Sequence, residues 1–196
     1  SKALDYLKDK DLVYACWLTR KEASSTLNAP HNHISQNTSL RVNDQELKNR
    51  KSLGLTPAWR LNIKNCLKYI NSQKEKIYWE DIKQGKNLLN LDQFGDVIIA
   101  RKDILTSYHL SVTVDDNSDG VTHIIRGNDL ESYTNIHRLL QVLLNLRETK
   151  WFHHKLVKDT NGRRIAKRSN SKLTIKELRK NGYSAKEVIK LAKSST

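Results

Sequence analysis

Cysteine is scarce in this sequence, and long apolar runs are missing. Only Cys16 and Cys66 occur among 196 residues. So few, so far apart, they argue against a disulfide framework and fit a reducing compartment. No stretch approaches the roughly 18 consecutive apolar residues of a membrane-spanning helix, so no membrane partner is expected. Ser1 to Asp11 is polar and periodic and reads as helix rather than signal peptide. Internal repeats and low-complexity tracts are also absent. Hydrophobic residues make up 37% of the chain, lowish for a globular protein, yet too many and too patterned for disorder. These absences leave a soluble, cytoplasmic chain as the expectation, with one domain or one domain carrying a small insertion; a monomer is expected beside it.

What is abundant is positive charge. The net charge is +14, and residues 147–196 hold fifteen Lys/Arg against four Asp/Glu, whereas residues 1–146 hold twenty against seventeen. The densest part is Asn161-Gly162-Arg163-Arg164-Ile165-Ala166-Lys167-Arg168-Ser169. A Gly-led cationic loop suits the clustered anionic oxygens of a polyphosphate or nucleic-acid backbone. A solvated basic tail is the other reading.

Periodicity gives the elements. Ala3, Leu4 and Leu7 share one face of a helix over 2–9. Strands are expected at Leu12–Leu18, Pro57–Ile63, Lys76–Ile82 and within Phe94–Arg101, with a helix near 43–51. Alternation of Leu110, Val112 and Val114 predicts the clearest strand, Ser107–Val114. A second strand follows over Val121–Gly127, after the turn chemistry of Asp115–Gly120. Ile136, Leu139, Leu140, Leu143 and Leu144 define a helix over about 133–146. Cys66 lies on a helix beside Leu67 and Ile70, as core. Thr174–Glu177 and Ser184–Glu187 are capping boxes separated by Gly182, so helices follow the basic loop. Arg126 ends its strand before a glycine turn and a helix. An arginine so placed either forks a carboxylate or faces solvent.

The motifs together resemble a known family. Tyr14-Ala15-Cys16-Trp17-Leu18-Thr19-Arg20 is similar to the Y-x-C-x-C-T-R segment of glutamyl-tRNA synthetases and their short paralogue, the glutamyl-Q tRNA(Asp) synthetases. Pro57-Ala58-Trp59-Arg60-Leu61 resembles the paralogue's P-A-W/Y-R-L. Phe94–Asp103 resembles F-G-D-x-V-x-x-R-x-D. Tyr108–Asp116 resembles Y-x-L-A-V-V-V-D-D, and Gly120–Leu130 resembles G-V-T-H-V-V-R-G-x-D-L. His137–Gln141 and Phe152–His154 continue the likeness, and Arg164–Arg168 falls at the K-M-S-K-S-type loop.

The resemblance implies a fold and a chemistry. The fold is α/β: the C-terminal part of a class I synthetase Rossmann-type catalytic domain, with an α+β insertion and a C-terminal helical segment. Residues 1–13 would end the first Rossmann half, 14–93 form the insertion, 94–160 the second half, and 161–196 the signature loop and closing helices. Tyr108 and Arg126 take the glutamate-binding positions. Lys167 takes the catalytic, ATP-contacting lysine position, stabilising charge on the polyphosphate of ATP–Mg2+. Arg164 replaces the loop's first lysine, keeping the charge in another shape, and Ala166 removes a hydroxyl. L-glutamate, ATP and tRNA, tRNA(Asp) above all, are the implied partners.

Two departures matter. Leu18 replaces the second cysteine of the family's zinc segment, and no cysteine follows in 31–39. Cys16, His31 and His33 would supply only three of about four ligands, so no metal is expected and Cys16 reads as a packed residue. His153-His154 likewise reads as strand-end packing. The family's H-I-G-H-type motif and R-F-A-P-S-P-T-G strand are not found in these residues. The chain is therefore expected to be the back two-thirds of a longer protein, unable to form an acyl-adenylate by itself. The alternatives are a truncated glutamyl-tRNA synthetase serving tRNA(Glu) and a non-catalytic RNA-binding remnant.

Overall fold

The structure is a computed structural model that describes residues 1–19, 22, 42–72, 76–103, 106–158, 162, 165 and 174–194. Helix α1, Lys2–Asp9, starts where Ser1 Oγ accepts the Leu4 N–H, and it buries Leu4 and Leu7. Strand β1 is Val13–Cys16 and β2 is Ala58–Leu61, and they pair antiparallel. Between them lies α2, Asp44–Ser52, capped by Asn43. Helix α3, Ile63–Asn71, follows β2 at once, because Asn62 Oδ1 takes the Asn65 N–H and turns the chain out of the strand. Its buried face is Ile63, Cys66 and Ile70, as the periodicity implied.

Strands β3, Tyr78–Asp81, and β4, Gly85–Leu88, form a hairpin. Strand β5, Ile98–Ala100, returns to pair with β2, giving a three-stranded antiparallel sheet in the order β1-β2-β5. Asp96, just before β5, ties this sheet to α3. It accepts from the Tyr14 hydroxyl at 2.8 Å and the Ile63 N–H at 3.0 Å, while its carbonyl takes Arg60 Nη1 at 2.7 Å. Burial, then Asp96, raises the Tyr14 hydroxyl pKa.

Helix α4 is Tyr108–Ser118, which corrects the strand expected at Ser107–Val114. Leu110, Val112 and Val114 alternate, but Leu110 and Thr113 also stand one helical turn apart, and those two are the buried residues of the element. Ser107 sits at the N-cap position, and the Thr113 hydroxyl bonds back to the His109 carbonyl at 2.8 Å. Strand preference of β-branched residues expresses packing context rather than a backbone rule. Here the context is α5, against which the Leu110 side packs.

Strand β6, His123–Gly127, leads through a 3-10 turn, Asn128–Leu130, into α5, Thr134–Leu143, and then β7, Lys150–His154. The second sheet runs β4-β3-β7-β6, with β3, β7 and β6 mutually parallel. Thus β3 and β4, within segment 14–93, share a sheet with β6 and β7. The core joins α1, α3, α4 and α5, with Ile136, Leu139 and Leu140 fully shielded and Leu143 nearly so. Burying each such side chain contributes about 1.5–3 kcal/mol. Trp79 and Trp151 meet edge to face at 6.1 Å.

Helices α6, Ile175–Lys180, and α7, Ala185–Ser194, follow. Thr174 Oγ1 accepts the Glu177 N–H, and Ser184 and Glu187 bond reciprocally, so the second capping box closes and the first contributes its hydroxyl cap. Among the described residues no helix is long and apolar enough to cross a membrane.

Candidate functional site

Parallel strands put their C-terminal ends on one side of a sheet, where open α/β folds collect ligand-binding groups. There β6 delivers Arg126, one residue before Gly127. A Cβ at Gly127 would stand 2.5 Å from Asp129 Oδ1 and 2.7 Å from Leu156 Cδ2. Any larger residue there would push the Asp129 and Leu156 side chains aside.

The Arg126 guanidinium is held on each edge. Its Nη1 donates to His137 Nδ1 at 2.9 Å, its Nη2 to Thr134 Oγ1 at 2.6 Å and its Nε to His153 Nε2 at 3.3 Å. Thr134 and His137 come from the first turn of α5, and His153 from β7. A guanidinium has five N–H donors and no acceptor. One N–H on each terminal nitrogen is therefore left over, and the Tyr108 hydroxyl stands within hydrogen-bonding reach of the group. Burial lowers the Arg126 pKa, while Tyr108, Asp116 and Asp129 act the other way.

Because arginine only donates, every proton in this network is placed. His137 Nδ1 accepts, so its proton sits on Nε2 and goes to His109 Nδ1, 3.0 Å away. His109 then carries its own proton on Nε2. On the other edge Thr134 Oγ1 accepts from Arg126 and donates to His153 Nε2 at 3.1 Å, and His153 Nδ1 donates to Asp81 Oδ2 at 2.7 Å. His153 and Asp81 are both buried. Burial would raise the Asp81 carboxyl, but His153 and the Lys83 and Gln84 N–H groups outweigh it and hold the pKa below its ordinary value. Burial, then Arg126 and His109, push His137 down to about 2. Burial and Arg126 lower His109 as well.

Rings close the site laterally. Tyr108 meets His109 and His137 edge-on at 5.5 and 5.8 Å, and His109 stacks on Tyr133 at 5.1 Å. The arrangement is a half-buried guanidinium whose hydrogen-bond partners are all neutral, set beside an exposed phenol. Such a group keeps its full charge for an incoming carboxylate.

Tyr108 and Arg126, singled out in the sequence, are thus brought together, with Tyr108 at the start of a helix rather than of a strand. Arg164 and Lys167 lie outside the described residues, as do His31 and His33. Pattern reading missed His109, Thr134, His137 and Asp81. It also took His153 for simple packing, whereas that residue links Arg126 to Asp81. His137 carried a signal, since it falls on the buried face of α5 beside Ile136 and Leu140, where a polar ring needs a partner.

At the exit of β1, Cys16 is buried and packs with Tyr14 and Leu18. Nearby, Arg50 donates to the Trp17 carbonyl, to Glu46 at 2.6 Å and to Glu22 at 2.7 Å. The Arg50 hydrogen bond is the chief cause holding Glu22 at about 2. Among the described residues no three His, Cys, Asp or Glu side chains are grouped to hold a metal ion.

Residues 16–193 match the model of the tRNA synthetases class I (E and Q), catalytic domain. A glutamyl-Q tRNA(Asp) synthetase of Rhodobacter capsulatus is 32% identical over 96% of the chain and 69% of its own length. Glutamate–tRNA ligase 2 of Brucella melitensis is 29% identical over 98% of the chain but only 43% of its own length. The fold is similar to glutamate-tRNA synthetase from Elizabethkingia anophelis, with a TM-score of 0.63 and 18% identity, over 93% of the chain and 36% of that structure.

Proposed function

Because this chain belongs to the catalytic-domain family of the class I tRNA synthetases for glutamate and glutamine, we propose that the full-length protein carrying it activates glutamate with ATP and transfers it to the queuosine base of tRNA(Asp). The observation that carries the reading is Arg126. It is a guanidinium caged by His137, Thr134 and His153, with Tyr108 in reach and donors to spare. A carboxylate is the ligand that such a fork accepts. Tyr108 and Arg126 then hold glutamate. Lys167 and Arg164 hold the polyphosphate of ATP–Mg2+, and Lys167 stabilises its charge as the carboxylate attacks the α-phosphorus and pyrophosphate leaves. The basic stretch 147–196 steers the tRNA phosphates. Cys16 serves as packing without zinc, and the protein works as a cytoplasmic monomer. The division at residues 13, 93 and 160 belongs to the same reading.

Identity supports this over a glutamate–tRNA ligase, at 32% to the R. capsulatus relative against 29% to the B. melitensis one. The full-length gene product carrying these residues is expected to exchange pyrophosphate with ATP when given glutamate and no tRNA, and to label queuosine-containing tRNA(Asp). Labelling of tRNA(Glu) instead would establish the ligase. Salt-sensitive tRNA binding without any exchange would establish an RNA-binding remnant.

A further inference from the structure

The chemistry around Arg126 shows a choice that a carboxylate fork does not require. Three other guanidinium groups of the described structure are paired with carboxylates, Arg50 with Glu22 and Glu46, Arg101 with Asp103 and Arg138 with Glu148, while Arg60 donates to the Asp96 main-chain carbonyl. Arg126 is held instead by two imidazole nitrogens and a hydroxyl oxygen. A carboxylate at any of those three places would fix it as firmly and cancel its charge.

We propose that His137 is a positioning and specificity-determining residue, which orients Arg126 through a neutral acceptor so that its charge stays available to select a carboxylate side chain over an amide. The inference rests on the reading of Arg126 as the glutamate fork. Three observations support it. His137 Nδ1 lies 2.9 Å from Arg126 Nη1, so it decides which N–H of that nitrogen stays free. The acceptor is always presented, because His109 Nδ1, 3.0 Å behind, takes the one proton of the ring on Nε2. His137 is also buried, 3% exposed, and its low basicity keeps it from competing with Arg126 as a cation. Other groups facing the pair are Tyr108, Tyr133, Asp116 and Asp129. Asp116 and Asp129 attract the guanidinium through space, while its hydrogen bonds go to His137, Thr134 and His153.

The test is a set of three substitutions in the full-length gene product, read by calorimetric titration with glutamate and with glutamine and by thermal melting. His137→Gln keeps a neutral acceptor and is expected to hold glutamate affinity within about threefold. His137→Leu removes the acceptor and is expected to weaken glutamate by about tenfold or more, the scale of a hydrogen bond to a charged group. His137→Glu keeps an acceptor but neutralises Arg126. It is expected to melt no lower than the Leu variant, yet to lose glutamate binding and lower the glutamate-to-glutamine preference by at least about tenfold. A merely structural role would track the melting temperature and leave that preference unchanged, which would overturn the inference. If the unaltered protein binds no glutamate, the underlying reading fails and the inference falls with it. If it binds glutamate and His137→Glu binds it equally well, only the inference fails.

Discussion

Arg126 is the residue on which the site turns, and lysine there should not substitute for it. A compact ammonium cannot reach His137, Thr134 and His153 at once while offering two parallel donors. Arg126→Lys is expected to weaken glutamate binding by about tenfold or more in titration calorimetry, with little loss of secondary structure. His137 also makes the fold sensitive to acid. Its folded pKa, about 2, lies well below the value of a free imidazole. The unfolded chain therefore takes up a proton first, and stability falls as pH drops below about 6.5, by up to about 1.4 kcal/mol per pH unit for that group. His109, shifted the same way, adds to the slope. Urea unfolding at pH 7 and pH 5 should show the loss, and His137→Gln should reduce it. Asp81 acts lower still, because its stabilising ionised form is lost only as pH falls through its depressed pKa.

Helix α4 gives a prediction that separates it from the strand its alternation suggests. In a half-buried strand Leu110, Val112 and Val114 would share one face and matter alike. In the helix Leu110 is 1% exposed and faces the core, while Val112 lies off that face. Leu110→Ala is expected to cost about 2–5 kcal/mol. Val112→Ala should cost under about 1 kcal/mol, since alanine's helix preference offsets part of the lost contact. Equal losses in chemical denaturation would contradict the helix. The turn after β6 is similarly constrained. Gly127→Ala places a methyl against Asp129 and Leu156, and a destabilisation of about 1–3 kcal/mol is expected.

For the whole molecule, charge is divided from core. The first 146 residues are nearly balanced, and the last fifty carry eleven of the fourteen net charges. Binding to tRNA should therefore weaken steeply with salt, and changing Arg163, Arg164, Lys167 and Arg168 to Gln should flatten the plot of log affinity against log salt. An unchanged slope would move the nucleic-acid contact elsewhere. Much of this molecule was legible without coordinates. The helix at 134–143 announced itself because an apolar stripe at 3.6-residue spacing has one burial solution. The capped helices at 175 and 185 did so because their hydroxyl–glutamate pairs close locally. Ordered motifs singled out Tyr108 and Arg126, and the structure brings their side chains together. What the chain alone could not show was the folding of 108–118 and the company that Arg126 keeps. Asp81, Thr134, His137 and His153 are separated by up to 72 positions and join only when β3, α5 and β7 meet behind β6. Local preference and periodicity act over a few residues and are written in the sequence. The neutral cage that leaves a guanidinium charged is a long-range contact, and only tertiary packing decides it.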